Sequence, residues 1–264
     1  MAIATLAAAL SGLQNPGFFS KVLTLGNTSN KRASFWGIGT NPGGYDTTLN
    51  GVVLSNPVAG QIVRNNPPSG NAYLGRVSRL TADTVTGGNI GALMICDRLW
   101  HNGGFTITSV AAQTIVSPAW SARDAAGSSN GDGVLLALEI SATVGAGVPS
   151  ITVGYTNELG VAGRTGTNID ATVTLASAGG FYPISLQAGD NGVRSVQSMT
   201  LSASWTSGTV NLVAYRPYLF HDGVVDAFSS GMPQIFNGTV PFLLGLVYAW
   251  SGLTIIGTYA ETNG

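Results

Sequence analysis

Charge is what this sequence has least of. Asp, Glu, Lys and Arg make up 9% of its 264 residues, against roughly 25% in an ordinary soluble domain. Eleven basic and twelve acidic residues leave a net charge of −1, so there is no basic field to hold a nucleic-acid backbone. The single cysteine, Cys96, excludes an intrachain disulfide and reads as a buried, inert thiol. The two histidines, His101 and His221, stand far apart in the chain. No zinc spacing, glycine-rich phosphate loop, dinucleotide fingerprint or Gly-x-Ser-x-Gly nucleophile elbow occurs. Catalytic residues and cofactors are therefore both read as none.

What is present is glycine, 37 residues of it with 11 prolines, between short runs of β-forming side chains. A chain of this length can bury roughly 70–75% of its unfolded surface and needs no covalent staple. A surface so poor in charge tends to associate when left bare, which implies cover by identical or neighbouring subunits.

The most informative stretch runs from Gly179 to Tyr218. Met199, Leu201, Ala203 and Trp205 alternate with Thr200, Ser202 and Ser204, the period of a strand with one buried face. Val210, Leu212 and Ala214 resume the alternation after Thr206-Ser207-Gly208, so the two runs read as a hairpin. Val193 and Val196 are out of phase with Met199, which predicts a β-bulge or a bend where the strand changes sheet. Further strands are expected at 93–100, 105–108, 134–141, 150–156, 170–176 and 181–187. Turn signals Asn102-Gly103, Asn130-Gly131, Asp132-Gly133 and Asp190-Asn191-Gly192 lie among them. About eight closely spaced strands predict an all-β fold, a jelly-roll-like β-sandwich with an extended N-terminal arm.

The expected organisation is an arm and Gly/Asn/Pro-rich region over 1–90, a sandwich core over 91–218 and a C-terminal β segment over 219–264. Met1 to Gln14 reads as a short docking helix rather than a secretory signal, since it lacks a basic start. Leu74, Val77 and Leu80, with Arg76 and Arg79 among them, form an amphipathic pattern that predicts a helix within Tyr73 to Ala82. Val240 to Ile256 approaches the length of a membrane span. Ser251-Gly252 splits it, and β-branched and aromatic residues favour two packed strands.

Three constellations invite chemical readings. Ser128, Asn130, Asp132 and Glu139, with Gly133, match the spacing of a calcium loop except that Ser128 replaces its first Asp. The flanks are not helical, so a plain turn feeding a strand is the preferred account. Asp97-Arg98-Leu99-Trp100-His101 groups an acid, a base and a histidine. Strand alternation puts Asp97 and His101 on one side and Arg98 and Trp100 on the other. This reads as a strand end held by an arginine ion pair, with Trp100 in the core. Glu139 and Glu158 could be imagined as a glycosidase pair, but among twelve acids some such pair is unavoidable. Trp36, Trp100, Trp120, Trp205 and Trp250 sit mostly in alternating apolar patterns and are expected to be buried.

The runs LMICDRLWHNGGFTITSVAAQTI, SPAWSARDAAGSSNGDGVLLALEIS, TVGYTNELGVAGRTGT and SLQAGDNGVRSVQSMTLSASWTSGTVNLVAYRP, with FSSGMPQIFNGTVPFLLGLVYAWSG, resemble a family of virion structural proteins of tailed bacteriophages. The resemblance covers roughly residues 90–250. It implies a place in the virion and no catalytic residues. With the low charge, the compact β-sandwich and the long arms, it implies a head decoration (cement) protein on the capsid surface, a homotrimer bound to the major capsid protein or other virion proteins, without nucleic acid or membrane. Phe18, Phe19, Phe35, Trp36 and Tyr45 are the expected apolar anchors of the arm on the shell or on sister subunits. The alternative is a neck, tail or fibre component, with loop aromatics that bind host-surface glycans; a virion glycan hydrolase ranks last.

Overall fold

A computed structural model describes residues 5, 7, 10, 14, 16–24, 32–37, 51–56, 58–62, 64, 72–82, 92–221, 234–237, 239–246 and 251–263. The helix expected over Met1 to Gln14 falls almost wholly outside them, as do Tyr45 and Trp250.

Among the described residues the first strands are β1 (Gly17–Thr24), β2 (Arg32–Ser34), β3 (Val52–Val53), β4 (Ala72–Ala82), β5 (Ala92–Asn102) and β6 (Gln113–Thr114). Then come β7 (Leu135–Ala142), β8 (Ile151–Asn157), β9 (Arg164–Asn168), β10 (Phe181–Ser185) and β11 (Val193–Leu201). The last are β12 (Thr209–His221), β13 (Gln234–Ile235), β14 (Pro241–Leu246) and β15 (Ser251–Asn263). Every pairing is antiparallel. The large sheet runs β2-β14-β5-β12-β7-β10-β9-β8-β11-β6, with β3 also on β5; the small one runs β1-β15-β4-β13.

The large sheet curls on itself. Leu136, Leu138 and Ile140 of β7 and Leu212 and Ala214 of β12 share one core with Val153 and Tyr155 of β8 and Val196, Met199 and Leu201 of β11. Those strand pairs lie on opposite sides of β10 and β9 in the sheet order, so burial of both requires the two halves to face each other. The fold is all-β, a jelly-roll-like sandwich. The backs of β5, β7, β12 and β14 are buried as well, under a second cluster that includes Trp36, Phe181, Tyr215 and Phe242. A third cluster, with Phe19, Leu74, Val77, Ile95 and Tyr259, joins the small sheet to the edge of the large one. The first and last stretches of the chain meet there, because β15 pairs with both β1 and β4.

Several expectations are corrected. β11 and β12 are not a hairpin: β11 pairs with β8 and β6, β12 with β5 and β7. The link between them arches from one half of the sandwich to the other. The Trp205 amide donates to the Ile107 carbonyl and the Thr206 amide to Ala146. Alternation reports a buried face, not which strand lies alongside. The expected bulges are present, at Val193/Ser195 and Val196/Ser198, and Val193, Val196, Met199 and Leu201 are all buried. The alternation ends there, with Ala203 exposed.

The helix expected in 73–82 is strand β4. Its register on β15 shifts between Ala260, opposite Arg76, and Glu261, opposite Leu74, which leaves Gly75 unpaired. That bulge puts Leu74 and Val77, three apart, on one buried face and imitates a helical period. The runs 105–108 and 170–176 are turns and irregular chain, whereas β9, almost without apolar side chains, was not expected. The segment 240–256 carries strands β14 and β15 in two different sheets. No helix among the described residues is long and apolar enough to cross a membrane.

Candidate functional site

The densest chemistry lies in the middle of β5, where Asp97, Arg98, Leu99, Trp100 and His101 are all buried. The register on β12 passes from Arg98 opposite Tyr215 to Trp100 opposite Ala214, so Leu99 is bulged out of simple alternation. Arg98 lies 4.6 Å from the Trp36 ring and 5.7 Å from that of Phe242. Its Nη1 and Nη2 donate to the Glu139 carboxylate at 2.9 and 2.6 Å. Burial pushes the Glu139 carboxyl up, but the charge of Arg98 and the hydrogen bonds of Arg98 and Ser34 outweigh it and hold it below the usual range. His101 acts on Glu139 through its charge in the same sense.

Asp97 makes a second pair. Arg123 Nε donates to its Oδ2 at 2.9 Å and the Val240 amide to its Oδ1 at 2.8 Å. Burial wins here, and the Asp97 carboxyl is raised despite Arg123. A general acid or base must reach the substrate's proton. Both of these carboxylates are inside the protein and already hydrogen-bonded, so the geometry ties β5 to β7, β14 and the 120s loop. The expected arginine ion pair and core tryptophan are present, but inside the strand and not at its end. The bulge at Leu99 also breaks the expected alternation, with Arg98 against Trp36 and Phe242 and Trp100 in the sandwich core. Cys96, beside it, is buried and free, with its thiol pushed well up by burial and by Asp97.

The loop of the calcium reading closes around an acid that the spacing overlooked. The Asp124 carboxylate accepts from the amides of Ala126, Ser128, Gly131 and Asp132 at 3.0, 2.6, 2.9 and 3.2 Å, and from the Ser128 hydroxyl at 2.6 Å. Burial raises its pKa, but these bonds prevail and lower it. Gly131 has φ +89°, and a Cβ there would stand 1.9 Å from the Val193 carbonyl oxygen, so the turn requires glycine. Inward N–H groups are the polarity for an anion, which the chain itself supplies. Ser128, Asn130, Asp132 and Glu139 are not gathered: Asn130 Oδ1 accepts from Arg194, and Glu139 is in β7 on Arg98. Among the described residues no group of three or more His, Cys, Asp or Glu could hold a metal ion. Asp before a Ser/Gly-rich stretch is itself a turn signal, and it could have pointed to Asp124.

Glu139 and Glu158 are likewise engaged apart, since Glu158 Oε2 accepts from the Gly192 amide at 3.0 Å. The 186–192 turn is locked by Asp190. Its carboxylate takes the Arg164 Nε and Nη2 at 2.9 and 2.8 Å, the Tyr155 hydroxyl at 2.6 Å and the Asn157 amide nitrogen at 2.8 Å.

The arm anchors are corrected in role. Phe19, Phe35 and Trp36 are buried in this chain's own core, because β1 and β2 are members of the two sheets. They hold the arm to its own chain and leave no side-chain surface for a shell or a sister subunit. Phe18, on the opposite face of β1, is 64% exposed. Trp36, Trp100, Trp120 and Trp205 are buried as expected. Sequence reasoning missed the exposed aliphatic set: Val110, Val116, Val148, Leu159, Val161, Ile169 and Leu175. Leu175 is also the one non-glycine residue at positive φ, 55°, among the described residues.

No family model matches the chain, and no curated protein matches it at a significant level. Among solved structures the chain is similar to one described as the structure of infectious bursal disease virus Gx strain. The identity is 10%, over 94% of this chain and 79% of that one, with a TM-score of 0.20. A match at that score carries no argument about fold or function.

Proposed function

We propose that this chain is a non-enzymatic structural component of a tailed-phage virion, a decoration protein that binds the assembled head shell and stabilises it. The observation that carries the reading is where the scarce charges go. Lys21, Asp97, Arg98, Arg123, Asp124, Glu139, Arg216 and Glu261 are buried, while Val110, Val116, Val148, Leu159, Ile169 and Leu175 are exposed. Burying these residues leaves an already charge-poor chain with less charge outside, and an exterior of that kind supplied with aliphatic side chains suits a contact surface. The resemblance of residues 90–250 to virion structural proteins supports the same reading.

The mechanism is mass action. Binding that buries about 1,000–2,000 Å² per contact on assembled shell, and not on free subunits, makes disassembly costlier. The exposed hydrophobic residues favour a protein partner over a glycan. Sugars are held by open aromatic faces, and the described tryptophans are all inside. In this reading trimers contact the shell through loop residues and Phe18, not through Phe19, Phe35 or Trp36. The test is to add purified chain to shells that lack it and measure bound chain and shell melting. Saturable binding with a raised shell melting temperature is expected; no binding to intact shells overturns the decoration role.

A further inference from the structure

We propose that Arg216 is a receptor for a carboxylate brought by another polypeptide chain. Arg216 lies on β12 and is 8% exposed. The Tyr218 ring is 4.1 Å from its guanidinium carbon and the Phe236 ring 5.2 Å. Both rings are partly exposed, so the group sits just below the surface under aromatic cover. Its Nε and Nη2 are buried and, among the described residues, donate to no atom.

Two other arginines of this protein use that edge to hold a carboxylate. Arg64 presents Nε and Nη2 to Glu261 at 2.6 and 2.7 Å, and Arg164 presents the same two nitrogens to Asp190 at 2.9 and 2.8 Å. A guanidinium edge of this kind matches a carboxylate in two parallel hydrogen bonds. At Arg216 the same edge is present, and among the described residues no carboxylate is paired with it. Asp97, opposite Arg216 in the β5–β12 register and within reach of its charge, is already held by Arg123 and the Val240 amide. Among the described residues one carboxylate thus faces two guanidiniums, and a buried surplus of positive charge is unfavourable until an anion answers it. A flat two-donor edge takes a carboxylate or a phosphate oxygen pair alike; the carboxylate is the one that every polypeptide partner carries. An Asp or Glu side chain or a C-terminus of a neighbouring subunit supplies that chemistry.

The inference leans on the assembly reading only for the source of the carboxylate. The site itself is tested on the isolated full-length chain by following arginine Nε–H resonances during titration with sodium acetate, against sodium chloride at equal ionic strength. One resonance, absent from R216K, shifts saturably with acetate and not with chloride. Acetate also raises the melting temperature of the wild type and leaves that of R216K unchanged. A resonance that acetate does not move, or an equal thermal effect in R216K, overturns the site. The source is tested by binding of R216K and R216Q to the partner shell, or by self-association. Folded variants bind roughly ten- to a hundredfold more weakly, the order of a lost charge-assisted contact, and acetate weakens wild-type binding. Acetate binding with association unchanged in both variants overturns the claim that the carboxylate belongs to another chain.

Discussion

Arg98 on β5 reaches over the intervening strand β12 to meet Glu139 on β7 in a two-point ion pair, with both side chains buried. The pair fastens three strands at the back of the sandwich, and Trp36 and Phe242 cover the guanidinium.

Removing one partner leaves the other charged and buried. Glu139→Ala should cost about 3–5 kcal/mol, read by urea denaturation. Replacing both, as Arg98→Met with Glu139→Leu, should recover most of that loss. The sign of the pH effect follows from Glu139 being held below 4.5. Its contribution is present above that value and lost as pH falls through the folded pKa. The acid limb of the stability curve should flatten in the double variant.

Lys21 predicts the opposite limb. Burial on the inner face of β1 lowers its pKa from 10.5 to about 8. Between those values the unfolded chain holds the proton and the folded chain does not, so stability rises with pH from about 8 toward 10.5. The full span is worth roughly 3 kcal/mol. Lys21→Met should be more stable than wild type at pH 7 and should lack the rise. An identical pH profile in the two proteins would contradict this.

Asp190 is held well below the usual carboxylate range, first by its hydrogen bonds from Arg164. The stability it lends is present above about pH 4 and disappears as pH falls through its folded pKa. Asp190→Asn should speed amide exchange at Val161 and Gln187, whose N–H groups donate to Asn157 and Tyr155 of the same network. Exchange in the β5–β12 core should not change.

Trp205 closes the arch between β11 and β12 and is fully buried in the sandwich core. Trp205→Ala should cost about 3–5 kcal/mol. Gly131→Ala should also destabilise, since the new methyl group meets the Val193 carbonyl.

The fold class was legible because period-two alternation is local; Val210, Leu212 and Ala214 showed their buried face directly. Pairing was not, because Trp205 and Val210 look the same in an arch and in a hairpin. Bulges misled where they changed the period, as at Gly75. Burial of the tryptophans could be read, but the fate of Phe19 and Phe35 could not. Apolar arm residues anchor equally well to their own chain or to another, and only β15 and β14 decide between the two. The Arg98–Glu139 and Asp97–Arg123 pairs join residues far apart in sequence, so no spacing rule finds them, and Arg216 becomes conspicuous only when its unused edge can be seen.

The measurement that tests the central claim most directly is the copy number of this chain in purified virions, by quantitative mass spectrometry against the major capsid protein. Hundreds of copies, in a simple ratio to the capsid protein, are the predicted result. A few to a few dozen copies would contradict the decoration role and assign the chain to the neck, tail or fibres.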